Sequence, residues 1–348
     1  MNVPFTGVHY RPFGGKVVLL GGDFRQTLPI VADAGREESV DASLTCSYLW
    51  TTCTILQLTE NMRITTSAGN ESMTFNGMDF TRWTLSVATD TPIQTMASEI
   101  YTDFAVRFHS AAYLTERSII TPTNRNVTEI NSHMLALVPG QQRAYFSSDT
   151  LHTDAVDPSW LEAEYPTEFL NGLSFNGCPE HQIDLKVFTP IMLLRNLNPE
   201  IGLCNGTRLM VVYLGHYVIK GVIMGGTFNG KTVAIPRRQF PVRLCYAMTI
   251  NKSQGQTLIS VGVYLPKPVF SHGQLYVAVS RVRSADGLRF LIVNEDDIPC
   301  NYTRNIVYEE AFADLQLPGH FDLNFPYRFV IESAQLYCFK QSAGLSSV

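Results

Sequence analysis

Short apolar runs cut by glycine, proline and asparagine dominate this chain. Lys16 to Leu20 is nearly all apolar and bounded by glycines, the pattern of a parallel strand covered on both faces. CTILQLTENMR, ending at Arg63, reads as a second strand and its exit. SIITPT, from Ser118, is a third, stopped by Pro122. Beyond it, Val127, Ile130, Met134 and Leu137 are spaced as one face of a helix over Asn124 to Leu137. From Tyr165 to about Arg237 the pattern turns β-rich, with LKVFTPIMLL, TRLMVVYL and YVIKGVIM separated by Gly and Asn turns. Asn70 to Asp90 mixes Gly, Ser, Thr and Asn with Phe75, Phe80 and Trp83, and predicts a helix only around Phe80 to Val87.

Polar residues directly beyond a buried parallel strand lie at the carboxyl edge of its sheet, where open α/β folds bind ligands. That places Asp23 and Gln26, in the run GGKVVLLGGDFRQTLPIV, at a candidate site. A second candidate is GGTFNGKT, Gly225 to Thr232, which satisfies the phosphate-loop pattern GxxxxGK[ST]. Its context argues otherwise. A phosphate loop leads into a helix whose N-terminus faces the phosphates, whereas VAIPRRQFPV is β-prone and broken by Pro236 and Pro241. Asn229-Gly230 between apolar runs is instead a hairpin-turn signal. FLIVNEDD, Phe290 to Asp297, imitates the acid-ended strand that accompanies a phosphate loop, but acids after a strand are ordinarily a solvated turn.

Composition narrows the class. With 348 residues and 45% hydrophobic content the chain can bury a substantial core in two or three lobes. It has no apolar run of about eighteen residues and no basic-then-apolar amino-terminal signal pattern. Seven scattered cysteines without a CxxC pair fit reduced thiols better than a disulfide framework or zinc site, so no cysteine-held metal is expected. The net charge of −5 gives no global nucleic-acid signal. Local charge does: Arg237, Arg238, Arg243, Lys252, Lys267, Arg281, Arg283 and Arg289 lie in a stretch whose only acid is Asp286.

GDFRQ followed by TLP resembles the third motif of Pif-family DNA helicases, in the RecD-like branch of superfamily one. The resemblance continues in the family's order over roughly residues 11 to 312. Its further blocks are LQLTENMR, SIITPTNRNVTEIN, PIMLLRNLNPEIGLCNGTRLMVV, RRQFPVRLCYAMTINKSQGQTL and FSHGQLYVAVSRVRSADGL. The wording is closest to the eukaryotic set associated with rolling-circle, Helitron-type transposons. The family holds ATP with an amino-terminal P-loop and a strand ending in Asp-Glu. MNVPFTGVHYRPF is too short for a strand, a glycine loop and a helix, so both are expected to be missing and the chain alone to be inactive.

The resemblance implies an α/β fold of RecA-like lobes, the first incomplete, with a small SH3-like β-barrel inserted in the second. The expected divisions are 1–65 for the rest of the first lobe, 66–117 a connector, 118–164 the opening of the second lobe, 165–237 the insert, 238–300 the return to that lobe and 301–348 a tail. It implies catalytic roles for Gln26, Arg63 and Arg281, with Asp23, Gln26 and Arg281 facing the nucleotide. Gln26 would contact the terminal phosphate or its attacking water, Asp23 would orient the loop, and Arg281 would reach across the cleft as a finger. Thr121, Pro122 and Asn124 match the strand-gripping turn. Thr249, Lys252, Ser253 and Gln254, in TINKSQGQ, match the motif coupling ATP state to bound DNA, and on a helix Thr249 and Ser253 would share one face. His272 reads as a packing residue rather than a catalyst.

The expected function is ATP-dependent translocation on single-stranded DNA, 5′ to 3′, with ATP and Mg2+ as cofactors, DNA forks among the partners, a monomeric state and a nuclear location. Two alternatives stay open: a non-catalytic single-strand-binding remnant of a transposon helicase, and a P-loop NTPase using Lys231.

Overall fold

The computed structural model describes residues 12–31, 35–56, 91–147, 169, 178–236, 240–293, 299–300, 302–312, 329–331 and 336–338. Its centre is a mixed α/β unit. Helix α1 (Arg36–Asp41) lies in the amino-terminal segment. Helices α2 (Pro92–Ile100), α3 (Phe104–Arg107) and α4 (Ala111–Thr115) lead to strand β1 (Arg117–Thr121). Helix α5 (Asn124–Leu137) follows over the span its apolar spacing predicts, and Thr123 accepts from the Asn126 N–H as its cap.

After α5 the chain forms β2 (Arg143–Phe146) and β3 (Gln182–Leu185), which pair with each other. Then come β4 (Pro190–Leu193), β5 (Arg208–Leu214), β6 (Val218–Met224), β7 (Thr232–Pro236) and β8 (Val242–Leu244). These five make an antiparallel sheet in the order β7-β6-β5-β4-β8. Its core joins Leu185, Ile191, Leu209, Val211, Ile219 and Ile235 with Tyr145 and Phe240. The chain then supplies β9 (Ala247–Thr249), β10 (Ser260–Leu265), helix α6 (Gln274–Val279), β11 (Leu288–Val293) and β12 (Pro299–Cys300). With β1 these strands form the second sheet, in the order β12-β11-β10-β1-β9, parallel except at β12.

Strand alternation explains the layers. Ile119, Tyr264 and Leu291 point to one face, where Met96 and Ile100 of α2 and Ile130 and Met134 of α5 cover them. Ile120, Val263 and Phe290 point to the other, against Leu275, Ala278 and Val279 of α6. Gly262 lets α2 approach β10, since a Cβ there would collide with Met96 Sδ and Ile100. Asn131 of α5 ties the two sheets together. Its amide donates to Leu244 O (3.1 Å) and Ala247 O (3.2 Å) and accepts from the Ala247 N–H (2.9 Å).

Expectations change at three places. Lys16 to Leu20 forms no strand: Val17 is 101% and Leu19 89% exposed, and no described strand pairs with the segment. An apolar run becomes a strand only when neighbours take up its backbone groups, and Cys53 to Leu56 is irregular for the same reason. Thr249 and Ser253 do not share a helix, because Thr249 ends β9 and Ser253 closes the short 3-10 turn Asn251–Ser253. Val242–Leu244 pairs with β4 to complete the antiparallel sheet, and the parallel sheet resumes at Ala247. The helix expected over Phe80 to Val87 lies outside the described residues.

Candidate functional site

The run GDFRQT folds as a tight loop in which the Gln26 N–H bonds Asp23 O at 3.0 Å. Asp23 organises it. The Asp23 carboxylate accepts from the Arg25 N–H (3.1 Å), Arg25 Nε (2.8 Å) and Gln26 Nε2 (3.4 Å). It also accepts from the Tyr276 hydroxyl on α6, at 3.0 Å. Burial would raise this carboxyl, but the hydrogen bonds and charge of Arg25, helped by Tyr276, outweigh it and hold it below the ordinary value. Burial and the neighbouring Asp23 charge push the Tyr276 phenol up to about 12, so it stays a donor. Arg25 also stacks its guanidinium over the Tyr276 ring at 5.1 Å.

Two further segments meet this loop. Gln254, in TINKSQGQ, donates to Thr27 Oγ1 at 2.7 Å. His272, at the start of α6, contacts Phe24 O through Nε2 at 2.8 Å. Gly273 caps α6 with φ +71°, and a Cβ there would run into the backbone of Arg25 and Gln26. Only glycine allows both this turn and so close a loop.

Arg281 stands just beyond α6 and is 2% exposed. Its Nε donates to Val277 O (2.8 Å) and Nη2 to Ser280 Oγ (2.6 Å), while Nη1 reaches Ser253 O and Gln256 O, both at 3.4 Å. The guanidinium thus fastens α6 to the TINKSQGQ turn from within, rather than projecting from the surface. Arg63 lies outside the described residues.

The strand-gripping candidates collect at the carboxyl ends of β1 and β9, neighbours in the parallel sheet. The Ile250 N–H bonds Thr121 O at 3.1 Å, joining the two loops. Thr121, Pro122 and Ser253 are buried, and the Ser253 hydroxyl donates inward to Ile250 O at 2.6 Å. Thr249 is half-buried, whereas Asn124 and Gln254 are exposed. Lys252 Nζ donates to Asn205 Oδ1 (3.3 Å), and Arg243 donates to Asn124 Oδ1 (2.8 Å) and to Glu180 (3.2 Å). The basic stretch is therefore not one surface. Arg289 pairs with Glu99 at 2.8 Å, Arg281 is buried, and Arg237 and Arg238 lie outside the described residues.

Gly225 to Thr232 is a hairpin connection. It joins β6 to antiparallel β7, with Ile223 N–H to Lys231 O and Gly230 N–H to Ile223 O, both at 2.9 Å. No helix follows it. Lys231 lays its ammonium over the Phe228 ring at 5.4 Å.

Sequence reasoning missed Arg25, Thr27 and Tyr276 as parts of the cluster. All stand inside the motif blocks, but nothing in their spacing says which side chains meet across more than two hundred residues.

Comparisons agree with this order of motifs. A family described as PIF1-like helicase matches residues 6–96, and one described as DNA helicase Pif1, 2B domain, matches residues 168–214. The ATP-dependent DNA helicase PIF1 of Danio rerio is 28% identical over 318 residues, covering 86% of this chain and 44% of the relative. The Xenopus laevis protein of the same name is 28% identical over 298 residues, covering 81% and 42%. The Homo sapiens protein is 36% identical over 139 residues, covering 36% and 22%. The chain thus spans less than half the length of these relatives. The crystal structure of Pif1 helicase from Candida albicans aligns with a TM-score of 0.38 at 25% identity, over 60% of this chain and 55% of that one. The family and sequence matches show the Pif-family resemblance that the motif blocks carry.

Proposed function

We propose that this chain, Pif-family helicase sequence by those matches, acts on single-stranded DNA as part of an ATP-dependent DNA helicase. One observation carries the reading. GDFRQT, more than two hundred residues from TINKSQGQ and SHGQLYVAVSR, meets both, and the three come together through Thr27–Gln254, Asp23–Tyr276 and Arg281–Ser253. Such a junction ties the loop of Gln26 to the edge formed by Asn124, Thr249, Lys252 and Gln254. The parallel sheet is read as the second RecA-like lobe and the antiparallel sheet as its SH3-like insert.

At that edge Asn124, Thr249, Lys252 and Gln254 offer amide, hydroxyl and ammonium groups suited to phosphates and sugars, which position a strand without reading its sequence. The buried Thr121, Pro122 and Ser253 shape the two turns rather than touch DNA. Translocation from 5′ to 3′, a Helitron-type origin, roles at DNA forks, a monomeric state and a nuclear location belong to the same reading.

The residues described do not by themselves fit ATP and Mg2+. Asp23 is committed to Arg25 and Tyr276, Arg281 to backbone carbonyls, and the one phosphate-loop pattern is a hairpin. We therefore infer that the isolated chain binds single-stranded DNA without hydrolysing ATP.

Anisotropy with a fluorescent oligothymidylate across a salt series, beside ATP hydrolysis with and without that DNA, tests both halves. Affinity should fall linearly on a log–log plot against salt. No binding at low salt refutes the DNA reading. DNA-stimulated hydrolysis that vanishes in Lys231→Ala would instead make Gly225 to Thr232 a phosphate site.

A further inference from the structure

His272 is buried, 1% exposed, between two segments that are remote from it in sequence. Its Nδ1 accepts from the Tyr308 N–H at 2.8 Å. A backbone N–H can only donate, so this nitrogen carries no proton and the ring proton sits on Nε2. Nε2 then donates to Phe24 O at 2.8 Å. One neutral tautomer satisfies both contacts, and neither the other tautomer nor the imidazolium does.

The surroundings have the form of a joint. On one side Gly273 admits the backbone of Arg25 and Gln26, and Tyr276 holds Asp23. On the other side the Gly273 N–H bonds Ile306 O at 3.2 Å, while Tyr308 and Phe312 lie against the His272 ring at 5.4 and 5.6 Å. Phe312 and Ala311 pack on Leu28 and Val40. Arg36 of α1 closes the ring of contacts, pairing with Glu310 at 2.6 Å and covering Tyr308 at 4.9 Å.

We propose that His272 is a positioning residue: as the neutral Nε2–H tautomer it seats the Asp23–Thr27 loop on α6 and locks the 306–312 segment behind it. This seating follows from the contacts of His272 alone, and any effect on nucleotide response rests on the proposed helicase function. A second ring proton would point Nδ1–H at the Tyr308 N–H, donor against donor. The charges facing the ring from α1 and the 306–312 segment are Arg36 and Glu310. The titratable groups on the loop and on α6 are Asp23, Arg25 and Tyr276, which are bonded to one another. Burial holds the imidazole below its ordinary value, with the Phe24 carbonyl acting against it and Arg36 and Glu310 acting oppositely. The lock is therefore complete above the ordinary histidine range and is lost as pH falls through the lowered folded value.

Hydrogen exchange followed by mass spectrometry on the full chain tests the joint, in fragments covering residues 22–28 and 304–312. His272→Ala should speed exchange in both by about tenfold, the worth of one hydrogen bond. His272→Gln places an amide N–H near the Nε2 position and should restore protection to 22–28 alone. His272→Asn places a carbonyl near Nδ1 and should restore 304–312 alone. Histidine-selective 15N NMR of the unaltered chain should show the Nε2–H tautomer, with exchange in both fragments rising together, beyond its intrinsic pH dependence, as the ring titrates in acid. This measurement stands if His272→Ala does not fold. An Nδ1–H tautomer, a ring titrating at or above the ordinary value, or unchanged exchange in His272→Ala overturns the proposal. None of these readouts uses DNA or ATP, so they fail independently of the helicase reading.

Discussion

Arg281→Ala separates a projecting finger from an internal fastening. A solvent-facing arginine can be truncated with little loss of stability. The Arg281 guanidinium instead donates to Val277 O and Ser280 Oγ at 2.8 and 2.6 Å and, more weakly, to Ser253 O and Gln256 O at 3.4 Å. Truncation removes the desolvation cost of a buried cation. It also leaves the Ser253 and Gln256 carbonyls without this donor, at about 1 kcal/mol each for such long bonds, and opens a cavity costing about 2 kcal/mol. The net loss should be about 3 kcal/mol, more than a hundredfold in the unfolding equilibrium. Arg281→Lys, which keeps the charge but reaches fewer acceptors, should lose about half of that. Urea unfolding followed by circular dichroism should show a lower midpoint at unchanged slope. If the alanine variant unfolds within about 0.5 kcal/mol of the parent, the guanidinium fastens nothing and the reasoning is wrong.

Gly273→Ala should release the Asp23–Thr27 loop, because its Cβ meets backbone that cannot rotate away and its φ is +71°. We expect a cost of about 2–4 kcal/mol, read as faster exchange in residues 22–28, with the Asn131 clamp unaffected. Asn131→Ala should cost about 2–4 kcal/mol by leaving Ala247 N–H and the Leu244 and Ala247 carbonyls without their amide partner, measured by thermal unfolding. Asp23, held below its ordinary value, contributes stability above the usual carboxylate range that disappears as pH falls through its folded value. Asp23→Asn should therefore flatten the acid limb of the stability profile while lowering stability at neutral pH. Lys252→Ala should reduce the salt slope of oligothymidylate binding by about one unit; an unchanged slope removes Lys252 from the interface.

The sequence by itself determined the local elements and the identity of the motif blocks. Apolar spacing at Val127, Ile130 and Met134 placed α5 over its full span, and Asn229-Gly230 with the prolines after it marked a hairpin rather than a phosphate loop, because turn chemistry and helix periodicity act over a few residues. It failed at Lys16 to Leu20, whose pattern describes a strand that only neighbouring strands can complete. Nor did it show that Ser253 and Arg281 are buried and bonded inward, since residue type sets what a side chain can donate but not which way it faces. Tertiary structure decided the rest. The parallel sheet brings Thr121 beside Thr249, and α6 carries His272, Gly273 and Tyr276 against Asp23 to Thr27. Such meetings depend on how strands order and helices pack across more than a hundred residues, and that information resides in no single window of the chain.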